Sequence, residues 1–115
     1  MRWSSAAAIS KTCCTDSNPL MAAYIIADVD VTDPTRYAQY RTLSSIAMQV
    51  YGAKPLVRGG AVETLEGPWQ PGRVVVLEFP DLDTARRFYD SPEYGAARQA
   101  REGAALMRMI VVQGA

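Results

Sequence analysis

The side chains able to do chemistry in this sequence are carboxylates, arginines and tyrosines, because the chain holds no histidine. That removes Ser–His and Cys–His nucleophile systems and the ordinary His-ligated zinc, haem and non-haem iron sites. The only cysteines, Cys13 and Cys14, are adjacent. Neighbouring thiols close a strained disulfide ring, and two alone do not complete a zinc site. Neither a metal nor another cofactor is expected, so acid–base work falls to Asp, Glu, Tyr, Lys or Cys.

The candidates gather around one hairpin. Arg58 precedes Gly59-Gly60 inside a strand-like run, and Arg73 opens the most apolar strand, Arg73–Phe79, which carries the lone carboxylate Glu78. Buried strands avoid charge, and paired glycines mark a backbone that bends or is approached closely. This hairpin reads as one wall of a small-molecule pocket, with Arg58, Gly59, Gly60 and Arg73 as binding residues. Alternation places Asp28 in phase with Tyr24 and Ile26, Glu78 with Val74 and Val76, Arg58 with Leu56, and Arg108 with Leu106 and Ile110. If the first and third strands are neighbours, Asp28 and Glu78 approach each other with an arginine in reach. Two carboxylates in a shielded space repel, so one should titrate high unless an arginine offsets the repulsion. Asp28 or Glu78 would then be a general base, with Arg58 steadying an enolate or carboxylate and Tyr24 or Tyr89 donating a hydrogen bond. The competing reading is a structural ion pair that lines a cavity or an interface.

Other residues admit two readings each. Tyr89 and Tyr94 flank Ser91-Pro92 as pocket residues or as core packing. Arg98, one turn from Arg101, is an anion-binding edge or a solvated helix charge. Trp69 is a lid, a partner contact or a half-buried loop aromatic.

The elements that must position these groups are legible in outline. Ala23 to Val31 alternates as a strand. Asp33-Pro34 starts a helix whose stripe is Tyr37, Tyr40, Leu43, Ala47 and Val50, with Gly52 as its stop. Lys54 to Leu65 reads as a second strand with a bulge at Gly59-Gly60. Pro71-Gly72 suits the centre of a type II turn before the third strand. Asp81 caps a short helix that buries Ala85, Phe88 and Tyr89. Ser91-Pro92-Glu93 starts a last helix toward Ala104, and Leu106 to Val112 closes the sheet. The order strand, helix, strand, strand, helix, strand predicts an α+β, ferredoxin-like antiparallel sheet with helices on one face.

The chain of 115 residues has room for one domain, and its 49% apolar and 21% charged residues are those of a globular protein. We expect that domain to span residues 21–115, behind a disordered leader of residues 1–20. Basic and acidic residues balance at 12 each, so no overall field favours nucleic acid or an acidic membrane. Cysteine usage favours a cytoplasmic location. One sheet face has no helix to cover it, and its apolar residues predict a homodimer packed through that face.

The same residues carry a family resemblance. Asp33-Pro34 with Tyr37 and Tyr40, Arg58-Gly59-Gly60, Leu65-Glu66-Gly67, Arg73 with Val76-Leu77-Glu78-Phe79-Pro80, Phe88 to Tyr94, and Arg98 or Arg101 together resemble the family called domain of unknown function 1330. That family lies within the dimeric α+β barrel group. Where it commonly shows Trp, this chain has Phe88, which loses an indole donor. The resemblance implies the fold and the dimer. Among its structural relatives are cofactor-independent monooxygenases, muconolactone-type isomerases and stress-related barrels. The expectations are thus a cofactor-independent isomerase, lyase or monooxygenase acting on a small oxygenated compound, a non-catalytic ligand-binding module, or a purely structural dimerisation domain.

Overall fold

Strict alternation along the first strand folds as its pattern demands. In a computed structural model describing residues 21–115, β1 (Ala23–Val31) buries Ala23, Ile25, Ala27 and Val29 and turns Tyr24, Ile26, Asp28 and Asp30 the other way. The expectations for residues 1–20, including Cys13 and Cys14, lie outside the described residues. After β1 come α1 (Pro34–Tyr51), β2 (Lys54–Arg58), β3 (Arg73–Phe79), α2 (Leu82–Asp90), α3 (Pro92–Ala100) and β4 (Ala105–Gln113). The sheet runs β2-β3-β1-β4, all antiparallel, and the core lies between one of its faces and the three helices. This is the ferredoxin-like α+β plan.

The helices begin where local chemistry starts them. The Asp33 side chain accepts from Arg36 N at 3.3 Å, Asp81 from Thr84 N at 2.7 Å and Ser91 from Tyr94 N at 3.1 Å. Gly52 ends α1 in the left-handed region at φ +70°. The buried stripe of α1 is Tyr37, Tyr40, Ser44 and Ala47. The predicted stripe is off by part of a turn. At about 100° per residue, Val50 lies roughly 100° from the stripe's centre, and it is exposed. Tyr89 is likewise partly exposed rather than buried by α2. The last helix stops at Ala100, and the Ala104 carbonyl instead accepts from Thr32 N and Asp33 N. A stack of Phe79, Phe88 and Tyr94, with ring centroids 5.1 and 4.6 Å apart, fills the centre of the core. No helix among the described residues is long and apolar enough to cross a membrane.

The hairpin departs most from expectation. β2 ends at Arg58 rather than Leu65, because Gly59 takes φ +82° and leaves the extended path. The register shift falls between Pro55 and Val57, not at the glycine pair. Proline lacks a ladder donor and is tolerated on edge strands and at bulges; β2 is such an edge. Pro55 pairs with Leu77, Val57 with Val76 and Arg58 with Val75. The extra residue, Leu56, therefore moves Arg58 onto the helix-side face. Gly72 is not a type II turn glycine, since its φ is not positive. Its value is closeness: a Cβ there would lie 2.8 Å from the Val29 carbonyl oxygen.

Candidate functional site

The helix-side face of the sheet does not close completely against α1. Val29 and Val75 give one wall of a cavity of about 60 Å³, Tyr37, Tyr40 and Ser44 of α1 give another, and Tyr94 closes the end. Arg58 enters from β2, Arg73 from the start of β3 and Arg41 from α1. An open groove of about 270 Å³, lined by Ala38, Arg41, Thr42, Ser45 and Arg58, lies outside it. Arg41, Ser45 and Arg58 line both spaces, so they form the mouth.

Polar groups here are donors set in apolar walls. The Tyr40 and Tyr94 hydroxyls are 2.7 Å apart and buried. Burial pushes both phenols above their usual range, Tyr40 the further. Burial raises Tyr37 too, while the guanidiniums of Arg73, Arg41 and Arg101 pull it the other way. Arg101 lies over the Tyr40 ring, 5.4 Å from its centroid. Among the described residues no carboxylate lines the cavity, and no ion pair includes Arg41, Arg58 or Arg73. The buried Nε of Arg73 has no hydrogen-bond partner.

Arg73 reaches the cavity because Gly59 has no side chain. A Cβ at Gly59 would lie 2.7 Å from Arg73 Cζ and 3.1 Å from its Cγ. Arg73 thus packs across the end of β2, with Gly59 N donating to the Val74 carbonyl at 2.8 Å. Gly60 has open space around its Cβ direction and makes no such approach.

The structure separates the residues that alternation alone had grouped. Asp28 and Glu78 remain on the uncovered face, while Arg58 and Arg73 are on the other. Glu78 pairs with Tyr24, four residues along β1 from Asp28. At about 3.4 Å per residue the two positions are roughly 14 Å apart along the strand, so the carboxylates do not share a site. Asp28 accepts from Trp69 Nε1 at 3.1 Å, Gly72 N at 3.0 Å and Arg108 Nη2 at 3.3 Å. Led by the Trp69 bond and then the Gly72 bond, these donors hold its carboxyl below the usual range, opposite to the raised value a tuned base needs. Glu78 accepts from the Tyr24 hydroxyl at 3.0 Å, which raises that phenol. Trp69 folds back over this face, and a broad groove of about 670 Å³ runs beneath it past Asp28, Val74, Arg108 and Ile110.

The remaining predicted residues divide. Tyr94 lines the cavity. Tyr89 stands outside it with the Arg98 guanidinium 4.5 Å from its ring centroid, so Arg98 is held on an aromatic face away from the cavity. Sequence reasoning missed Arg41, Ser44 and Ser45, and treated Tyr37 and Tyr40 as plain core. The available signal was a polar strip, Arg41 and Ser44, running through the helical face that Tyr37 and Tyr40 bury.

A family described as "Domain of unknown function (DUF1330)" matches residues 22–115. A protein of unknown function from Rhodopseudomonas palustris has a similar structure, with TM-score 0.68, 20% identity and 84% of each chain covered. A dimeric ferredoxin-like protein of unknown function from Thermobifida fusca is 22% identical, with TM-score 0.54 over 83% of this chain and 91% of that one. SnoaB, a cofactor-independent oxygenase from Streptomyces nogalater, is 11% identical, with TM-score 0.57 over 83% of this chain and 94% of that one. At these identities the likeness is one of fold. No curated protein matches the sequence.

Proposed function

The chain belongs to the DUF1330 family, and from that premise we propose that it is a small-molecule-binding protein whose ligand, an oxygenated organic compound, sits in the cavity between α1 and the sheet. One observation carries this reading: the polar groups converging there are arginine and tyrosine donors set among apolar walls. Such a lining matches a ligand that offers oxygen acceptors on a small apolar body. The inner space takes a head group of few atoms, since liquid water occupies about 30 Å³ per molecule; the groove beyond the mouth takes the rest. With no carboxylate in its lining among the described residues, the cavity is better equipped to capture a ligand than to take a proton from one. We assign Asp28 to holding the 59–72 segment, and we place the protein in the cytoplasm, in keeping with its cysteine usage.

The working unit in this proposal is a homodimer joined through the uncovered sheet face. Leu106, Ile110 and Val112 there are 70%, 61% and 44% exposed. Apolar surface of that kind, repeated along a strand, is what a second copy of the sheet would cover. The T. fusca protein of the same fold is dimeric.

The test is a thermal-shift screen of small keto acids, phenols and lactones on the full chain, with light scattering and chemical analysis of recovered ligand. Binding without turnover supports the module; turnover would make the protein an enzyme. If no oxygenated compound shifts the melting temperature, the binding reading fails. Wild type should scatter as a dimer and Ile110→Glu as a monomer; a monomeric wild type would overturn the dimer.

A further inference from the structure

We infer that the cavity selects organic anions, with Arg73, Arg58 and Arg41 holding a carboxylate or enolate head group. The inference rests on the binding reading above and gives that ligand its chemical class.

Three observations converge on it. First, the three guanidiniums lie at one small cavity and its mouth, and no ion pair among the described residues includes any of them. Like charges gathered around a partly dehydrated space repel one another, so an anion placed among them relieves a cost that a neutral ligand leaves standing. Second, Arg73 is built in. It crosses the end of β2 through the space Gly59 leaves empty, and its buried Nε–H has no acceptor. A carboxylate presents two oxygens in the plane a guanidinium fork matches, and supplies the missing acceptor. Third, the neighbouring phenols are neutral at physiological pH, and burial raises them further, so none competes with the ligand as an anion. The apolar walls formed by Val29, Val75 and Met107 favour an organic body over a bare inorganic ion.

The probes are acetoacetate, its neutral isostere acetoacetamide, and inorganic phosphate, titrated calorimetrically into the full chain. Acetoacetate should bind at least about tenfold tighter than acetoacetamide, the worth of one charge-assisted pair, and should weaken as sodium chloride is raised. Arg73→Gln should remove that preference. Arg58→Gln at the exposed mouth should reduce it and is the safer variant for folding. Arg87→Gln, whose partner is Asp83 on the surface of α2, should change nothing. Equal binding of acetoacetate and acetoacetamide would overturn the anion assignment while leaving the cavity reading intact. Phosphate binding as tight as acetoacetate, with the same arginine dependence, would overturn the organic part. Failure of both acetoacetate and acetoacetamide, together with a blank oxygenated-compound screen, would sink the binding reading itself.

Discussion

Gly59→Ala should damage the site in a way that Gly67→Ala, on the same connection, does not. Two costs arise at that position. At φ +82° an alanine is forced into the left-handed region, which costs about 1–2 kcal/mol. Its Cβ would also sit 2.7 Å from Arg73 Cζ and 3.1 Å from Cγ. The guanidinium must leave that space, and Cγ must also give by a few tenths of an ångström. Gly67 supplies the control. Its φ is +86°, but an added Cβ meets nothing within 4 Å, so Gly67→Ala carries the backbone cost alone. Both variants should therefore lose roughly 4–8 °C of melting temperature per kcal/mol, as expected for a domain of this size. Only Gly59→Ala should lose the contact between Arg73 and an anionic ligand, a contact worth about 1.5–3 kcal/mol, or roughly ten- to hundredfold in acetoacetate affinity. A readout free of ligand is the Tyr37 phenol, followed by absorbance or NMR across alkaline pH. Arg73 pulls its titration down, so displacing the cation should push it higher still in Gly59→Ala and leave it unmoved in Gly67→Ala. If the two variants match in both Tyr37 titration and acetoacetate affinity, Arg73 does not depend on Gly59 and the reasoning fails.

Two further perturbations test the supports on either side of the sheet. Tyr94→Phe leaves the buried Tyr40 hydroxyl without its 2.7 Å partner and should cost about 1–3 kcal/mol in urea denaturation. The double variant with Tyr40→Phe should recover part of that loss; a double variant worse than the sum of the singles would argue against the hydroxyl pair. On the other face, Asp28 titrates below its ordinary value of 3.8 when folded. A depressed folded pKa contributes stability that is present above 3.8 and lost as pH falls through the folded value. Asp28→Ala should flatten that acid limb and red-shift Trp69 emission as the indole loses its acceptor. An acid limb identical to wild type would remove Asp28 as the anchor of the 59–72 segment.

What could be read from the sequence was whatever is decided locally. Caps at Asp33, Asp81 and Ser91 act within three residues, and β1 alternates without interruption, so helix starts and the two faces of that strand follow from neighbours alone. Arg58 is the counterexample. Its face depends on whether one residue between Pro55 and Val57 is skipped by the ladder, and nothing near Arg58 reports that event. Placing the bulge at Gly59-Gly60 kept Arg58 in phase with Leu56; placing it at Leu56 reverses the face, because strand side chains repeat every two residues. The same error put Arg58 on the face that carries Glu78, whereas the register sets Lys54 opposite Glu78. Arg41 and Ser44 were hidden for a different reason. A helical stripe read by hydrophobicity discards its polar members, and here those members border the cavity.

A chain with equal numbers of acids and bases has no net field, yet the sheet sorts its charges. On the uncovered face Asp28 and Glu78 are answered locally: Arg108 and the Trp69 and Gly72 donors hold Asp28, and Tyr24 bonds Glu78 with Lys54 opposite. On the helix side three arginines meet at one cavity with no carboxylate in its lining among the described residues. Zero net charge therefore gives no net long-range pull on a polyanion but leaves a local one, strongest at the partly buried Arg73, where salt screens it least. The bulge at Leu56 and the gap at Gly59 are both needed for this asymmetry. One turns Arg58 inward, and the other lets Arg73 through beside it.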